Sequence, residues 1–234
     1  MTARPPETAD DRAVTVEVIG LPGSGKSTLV RAIAEADERV VATTFASRSK
    51  KTIAYTRSAR SLSPILLRGP AARAIARRDF GRMVRLDAIP THGGAAIGVP
   101  ARVRIFDQGP VFLLYRLAPD LRGERRHVAV NGWVNRMLGR WASALDLVVV
   151  LDAPDEVLLD RVQVRSKSHP LQDVPRETGR LALHRHRQRY ERILSDLRTR
   201  ERFDILRLDT AAASVTTSTT RIQDAIARAT LEEA

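Results

Sequence analysis

The chain has 234 residues, no cysteine and a formal net charge of +12. That length suits one α/β domain with a full core and is short for two, and the absence of cysteine excludes disulfides and thiolate metal sites. The positive charge is mostly arginine spread along the chain, and aromatic residues make up only 4%, which argues against single-strand base stacking and against a nucleic-acid partner. Arginine in this pattern suits phosphates and solvated surface.

Met1 to Arg12 is polar and proline-containing, without the apolar stretch of a signal peptide, so residues 1–12 read as a disordered lead and 13–234 as a single domain. No segment has the length and hydropathy of a membrane span, and a cytoplasmic location with no membrane partner is the expectation. Val14 to Ile19 alternates and is rich in β-branched residues, which predicts a strand. Gly20-Leu21-Pro22-Gly23-Ser24-Gly25-Lys26-Ser27-Thr28 then fits the phosphate-loop pattern G-x-x-x-x-G-K-[ST] without a mismatch. Thr28 to Ala36 has helical spacing, so strand, loop and helix occur in the order the pattern requires. Glycines let main-chain N–H groups converge on phosphate oxygens, and the helix N-terminus adds its positive dipole end. Lys26 is expected on the β- and γ-phosphates, with the Ser27 hydroxyl on Mg²⁺.

Val40 to Phe45 predicts a second strand, and Tyr55 to Leu86 an arginine-studded helical stretch broken near Ser63-Pro64 and Gly69-Pro70. Thr91 to Pro100 reads as a loop. Val103 to Phe106 predicts a third strand ending at Asp107, an acid that in such a place holds Mg²⁺, takes a proton from an acceptor, or merely caps a turn. Trp133, Met137, Trp141 and Leu145 recur every four residues on a helix from Val128 to Leu145. Leu147 to Leu151 is a continuous apolar strand, followed by a helix over Asp155 to Val164. A long helix around Gly179 to Arg200 carries Leu183, Tyr190, Leu194 and Leu197 on its apolar stripe. Phe203 to Leu208 is a fifth strand, and Ser218 to Leu231 a closing helix. The alternation predicts a doubly wound parallel sheet.

Arg161, Arg165, Lys167 and His169 lie within nine residues. The two arginines share a face if their helix extends that far, an arrangement suited to a transferring phosphoryl group; the alternative is a solvated basic turn. His169, His184 and His186 lack acidic or cysteine partners at ligand spacing, which weighs against a metal site there.

Taken together, these residues resemble the P-loop nucleoside and nucleotide kinases, thymidylate kinase-like members most of all. The resemblance runs from about Val14 to the closing helix. It rests on the phosphate loop, on Asp107 after the third strand, and on Leu151-Asp152-Ala153-Pro154 leading to the R-x-x-x-R of Arg161 and Arg165. It implies a three-layer fold with a five-stranded parallel sheet, helices on both faces and a small helical lid at about 161–178. It also implies an acceptor-binding region at about 46–100, Mg-ATP as donor, lid arginines closing over the phosphates, and Asp209 to Ser214 against the nucleobase. Typical thymidylate kinases follow the strand-end acid with arginine, and deoxynucleoside kinases carry Glu-Arg-Ser; here Gln108 follows Asp107.

The function expected is transfer of the ATP γ-phosphoryl to a small anionic acceptor such as a nucleotide or nucleoside, with Lys26, Asp107, Arg161 and Arg165 catalytic. Arg57, Arg60, Arg73, Arg77 and Arg78 favour an anionic acceptor. The alternative is a regulatory NTPase; no Asn-Lys-x-Asp guanine motif is present, which favours ATP over GTP. The sequence is compatible with a homodimer.

Overall fold

Strand β1 (Val14–Gly20) is the central strand of a five-stranded sheet in the order β2-β3-β1-β4-β5. Its neighbours are β3 (Val103–Phe106) and β4 (Leu147–Asp152), with β2 (Val40–Thr43) and β5 (Asp204–Asp209) outside them, and every pairing is parallel. The computed structural model describes residues 13–43, 58, 61–63, 77–89, 103–121 and 128–231. The expected disordered lead, the Thr91 to Pro100 loop, and Arg57, Arg60 and Arg73 lie outside the described residues, as do the side chains of Arg77 and Arg78.

Seven helices of the described residues cover the sheet: α1 (Lys26–Ala36), α2 (Arg77–Ala88), α3 (Pro110–Leu121), α4 (Val128–Ala142), α5 (Asp155–Gln163), α6 (Arg176–Arg198) and α7 (Val215–Leu231). Side chains alternate across β1, so Val16 and Val18 meet Leu29 and Ile33 of α1 and Ile222 and Ile226 of α7 on one face. Ile19, with Phe106 and Val148, packs on the other face against Leu114, Trp141 and Leu194. Because both faces are covered, all of β1 is buried. Trp133, Met137 and Trp141 of α4, and Leu145 just past its end, are core, with Trp133 and Trp141 at 0% exposure.

Several boundaries shift for local reasons. The closing helix begins at Val215 rather than Ser218, because the Ser214 hydroxyl accepts the Thr217 N–H at 3.1 Å and caps the first turn. Helix α3 went unpredicted: Gly109-Pro110 reads as a turn, yet proline is well suited to the first helical position, and Val111, Leu113, Leu114 and Leu117 bury the face behind it. Helix α5 stops at Gln163, so Arg161 is in its last turn and Arg165 lies beyond its end; the two do not share a helical face. In place of the expected helical lid, residues 164–175 form turns and bends. Side-chain bonds hold that run: the Gln172 amide accepts the His169 N–H at 2.7 Å and donates to the Arg165 carbonyl at 3.0 Å.

Trp141→Ala removes the largest kind of side chain from the sheet–helix interface and should cost about 3–5 kcal/mol. Urea unfolding followed by circular dichroism measures this loss as a lower midpoint with an unchanged slope.

Candidate functional site

The phosphate loop leaves β1 at Gly20 and enters α1 at Lys26. Gly20 (φ +156°) and Gly23 (φ +83°) are set by close approach as well as by dihedral angle: a Cβ on Gly20 would lie 2.4 Å from the Leu151 carbonyl oxygen, and one on Gly23 would lie 2.6 Å from that of Leu158. The loop is therefore wedged between β4 and α5. Leu21 and Ser24 are buried beneath it, while Gly25, Ser27 and Thr28 are exposed. Lys26 folds back over the loop, its Nζ donating to the Gly20 and Leu21 carbonyls at 2.8 Å each. Burial lowers its pKa to about 8, with the Asp107 charge opposing and the Arg165 charge assisting the shift.

The parallel pairing of β1 with β3 carries Asp107 to the mouth of this loop. The Ser27 hydroxyl donates to Asp107 Oδ2 at 2.7 Å across eighty residues of sequence. Two hard oxygens of this kind suit Mg²⁺, which takes few protein ligands and completes its shell with water and phosphate. Among the described residues, no group of three or more His, Cys, Asp or Glu could hold a metal. His184 instead meets Gln188, and His186 meets the Tyr115 hydroxyl.

Glu17, one more residue of an alternating strand in the sequence, organises the other side of Asp107. It lies on β1, entirely buried, and its carboxylate accepts the Val111 N–H at 2.7 Å and the Phe112 N–H at 2.8 Å, satisfying the first turn of α3. Burial raises its pKa to about 8 despite those hydrogen bonds. Gly109 passes between them: a Cβ there would sit 2.7 Å from Phe106 Cβ and 2.9 Å from the Glu17 carboxylate. An acid in an otherwise apolar strand was the available signal for Glu17.

A cavity of about 670 Å³ opens in front of the loop, lined by Gly20 to Gly23, Gly25 to Thr28, Asp107 and side chains from α2, α3, α5 and α6. Arg161, Arg165 and Lys167 reach it from one side. Arg161 donates to the Thr210 hydroxyl and carbonyl, both at 2.9 Å, which ties α5 to the loop after β5. Arg82 and Arg85 of α2 and Arg116 of α3 line it as well; nothing along the chain distinguishes these arginines from their neighbours. Tyr115 stacks on Tyr190 with ring centres 4.1 Å apart, and Arg189 lies over the Tyr115 ring at 5.4 Å.

The sheet order, the glycine loop between β1 and α1, and the acid at the end of β3 define the architecture. This is a P-loop NTPase fold.

No protein-family model and no curated protein matches the chain. Among solved structures, it is similar to a deoxyadenosine kinase from M. mycoides with dCMP and dCDP bound, at 14% identity and a TM-score of 0.49 over 90% of this chain and 97% of that one. The same enzyme with dATP matches at 15% identity and a TM-score of 0.49, covering 90% and 98%. The YorR protein of Bacillus subtilis, in complex with phosphorylated GDP, matches at 12% identity and 0.48, covering 90% and 94%. No described helix is long and apolar enough to cross a membrane.

Glu17→Gln tests the buried acid. A raised pKa means the folded state holds a proton that the unfolded state releases, so the contribution of Glu17 is fully present below pH 4.5 and is lost as pH rises through about 8. Melting curves should therefore show the parent chain losing about 5 °C or more relative to the glutamine variant between pH 5 and pH 8.5. A constant offset across that range would contradict the assignment.

Proposed function

We propose that this chain is an ATP-dependent phosphotransferase that moves the γ-phosphoryl group of Mg-ATP to a small anionic acceptor, a nucleotide, nucleoside or similar metabolite. The observation that carries this reading is the convergence of Lys26, the Ser27–Asp107 pair and the loop amides on one cavity wall. The loop glycines turn main-chain N–H groups toward a phosphate tail, and the helix dipole of α1 adds to their pull. Lys26, already partly desolvated, exchanges its loop carbonyls for β- and γ-phosphate oxygens. Ser27 and Asp107 are the residues to hold Mg²⁺, which supplies charge neutralisation across the bridging phosphates when bound.

Arg161 and Arg165 stand on the side of the cavity where the transferring group is reached from α5 and the turn after it. Guanidinium groups there stabilise the equatorial oxygens in the transition state more than in the ground state. Arg161 is also bonded to Thr210, so the loop over Asp209 to Ser214 and the phosphate end of the site are mechanically joined. That contact supports placing the nucleobase against the loop. Catalysis in this arrangement comes from positioning and electrostatics rather than from a covalent intermediate.

Lys26→Ala should reduce transfer by about two to three orders of magnitude while leaving the melting temperature close to that of the parent. Asp107→Asn should keep ATP affinity within about threefold and lose transfer to a similar degree; a coupled assay for ADP, run across a metabolite panel, reads both. Turnover of Asp107→Asn equal to the parent would reduce Asp107 to a turn residue.

A further inference from the structure

Helix α3 begins without a cap of its own. The donors that no bond inside the helix can satisfy are those of Gly109, Pro110, Val111 and Phe112; the first internal bond runs from the Leu113 N–H to the Gly109 carbonyl at 3.0 Å. Pro110 has no N–H, and Gly109, in the capping position, has no side chain to fold back. The Val111 and Phe112 N–H groups donate to Glu17 at 2.7 and 2.8 Å, and the Gly109 N–H is directed at the same carboxylate. The cap therefore comes from the central strand, ninety-four residues before Val111 in the chain.

Glu17 holds the other end of the same turn. Phe106, the last residue of β3, is its partner in the register of β1 and β3. Only Asp107, Gln108 and Gly109 lie between that pair and α3, so they form an arch with both feet on one residue of β1. The arch is tight, since a Cβ on Gly109 would fall 2.7 Å from Phe106 Cβ and 2.9 Å from the Glu17 carboxylate. It carries Asp107, whose Oδ2 accepts the Ser27 hydroxyl at 2.7 Å. Ser27 is reached through the end of the same strand, because Glu17 stands three residues before Gly20, where the phosphate loop leaves β1.

These bonds are strong constraints because no water can replace them. Glu17 is 0% exposed, and a buried donor or acceptor that loses its partner keeps the full cost of its desolvation. Packing does less for the arch itself: Asp107 is half-buried and Gln108 is exposed. The place of Asp107 is thus set mainly by what holds the two feet.

Building on the phosphotransfer reading, we propose that Glu17 is a positioning residue for the transfer: by holding both feet of the arch it sets the Asp107 carboxylate against Ser27, and its effect on the reaction passes through Asp107. It is sealed beneath the cavity wall and touches neither nucleotide nor acceptor. Losing the cap lets the arch and the first turn of α3 relax away from β1, and a misplacement of about 1 Å in a reacting site costs roughly a hundredfold in rate. Glutamine is the informative substitution, since it keeps one accepting oxygen and sets an NH₂ group, which cannot accept, against the second amide.

The test is a double-mutant cycle on transfer, run with the full chain at one fixed pH. Glu17→Gln should lower kcat by roughly ten- to a hundredfold and leave the KM for ATP within about twofold. In the Asp107→Asn background the same change should alter the residual rate by less than about twofold. An equal factor in both backgrounds, or a loss confined to KM, would mean that Glu17 supports the fold without acting through Asp107, and would overturn the proposal. A second arm needs neither acceptor nor metal: with ¹³C-carboxyl-labelled aspartate, the Asp107 signal, assigned by its absence in Asp107→Asn, should move in Glu17→Gln in the direction it moves in Ser27→Ala. A signal that moves in Ser27→Ala and stays in place in Glu17→Gln overturns this inference alone. If Glu17→Gln does not fold, Glu17→Asp takes its place with the same expectations, because it keeps both oxygens on a side chain one methylene shorter. Failure of the parent chain to bind Mg-ATP overturns the phosphotransfer reading beneath it, and the carboxyl signal still decides whether Glu17 places Asp107.

Discussion

The hydrogen bond from Ser27 to Asp107 joins two parts of the chain that only the parallel pairing of β1 with β3 can bring together. Everything chemical in the structure depends on that convergence. The phosphate loop alone presents amides and one lysine, and the strand-end acid alone is a turn residue. Side by side they form a mouth that brings charge partners and hard oxygen ligands together, the arrangement on which the proposed Mg-ATP reading rests. The approach is enforced by packing, because Gly20 and Gly23 leave no space for a side chain between the loop, β4 and α5.

Glu17 extends the same constraint to the far wall. Its carboxylate holds the first turn of α3 from inside the sheet, which ties the helix carrying Tyr115 and Arg116 to the central strand. On the opposite flank, Arg187 donates to Asp152 at 2.7 Å and to Asp155 at 2.5 Å, pinning α6 to the end of β4. Arg140 does the equivalent for α2, donating to the Asp87 carbonyl at 2.9 Å and the Ile89 carbonyl at 2.6 Å. The cavity is thus framed by buried or half-buried polar contacts, and Arg82, Arg85, Arg116 and Arg161 project into it from helices.

The phosphate-loop pattern was legible because it constrains consecutive residues: glycines, lysine and hydroxyl must follow one another along the chain. Asp107 was legible for a related reason, as an acid directly after an apolar strand. Helix α3 was hidden because Gly109-Pro110 carries a turn signal and a helix-start signal in the same two residues. Arg82, Arg85 and Arg116 could not be told apart from Arg57 or Arg73 in a chain so rich in arginine; only the direction in which α2 and α3 face selects them. Glu17 was read as one more residue of an alternating strand, whereas the sheet is covered on both faces and every β1 side chain had to find a buried partner. The lid differed because a helical spacing of two arginines says nothing about whether the helix reaches the second, and here α5 stops at Gln163, before Arg165.

The central claim is that main-chain amides, Lys26 and the Ser27–Asp107 pair grip a triphosphate tail. Isothermal titration calorimetry of the full chain with ATP, in the presence and absence of Mg²⁺, tests it most directly. The account predicts saturable heat with one equivalent of nucleotide, tighter with the metal than without it and lost in Lys26→Ala. No heat from any purine or pyrimidine triphosphate with magnesium would contradict it.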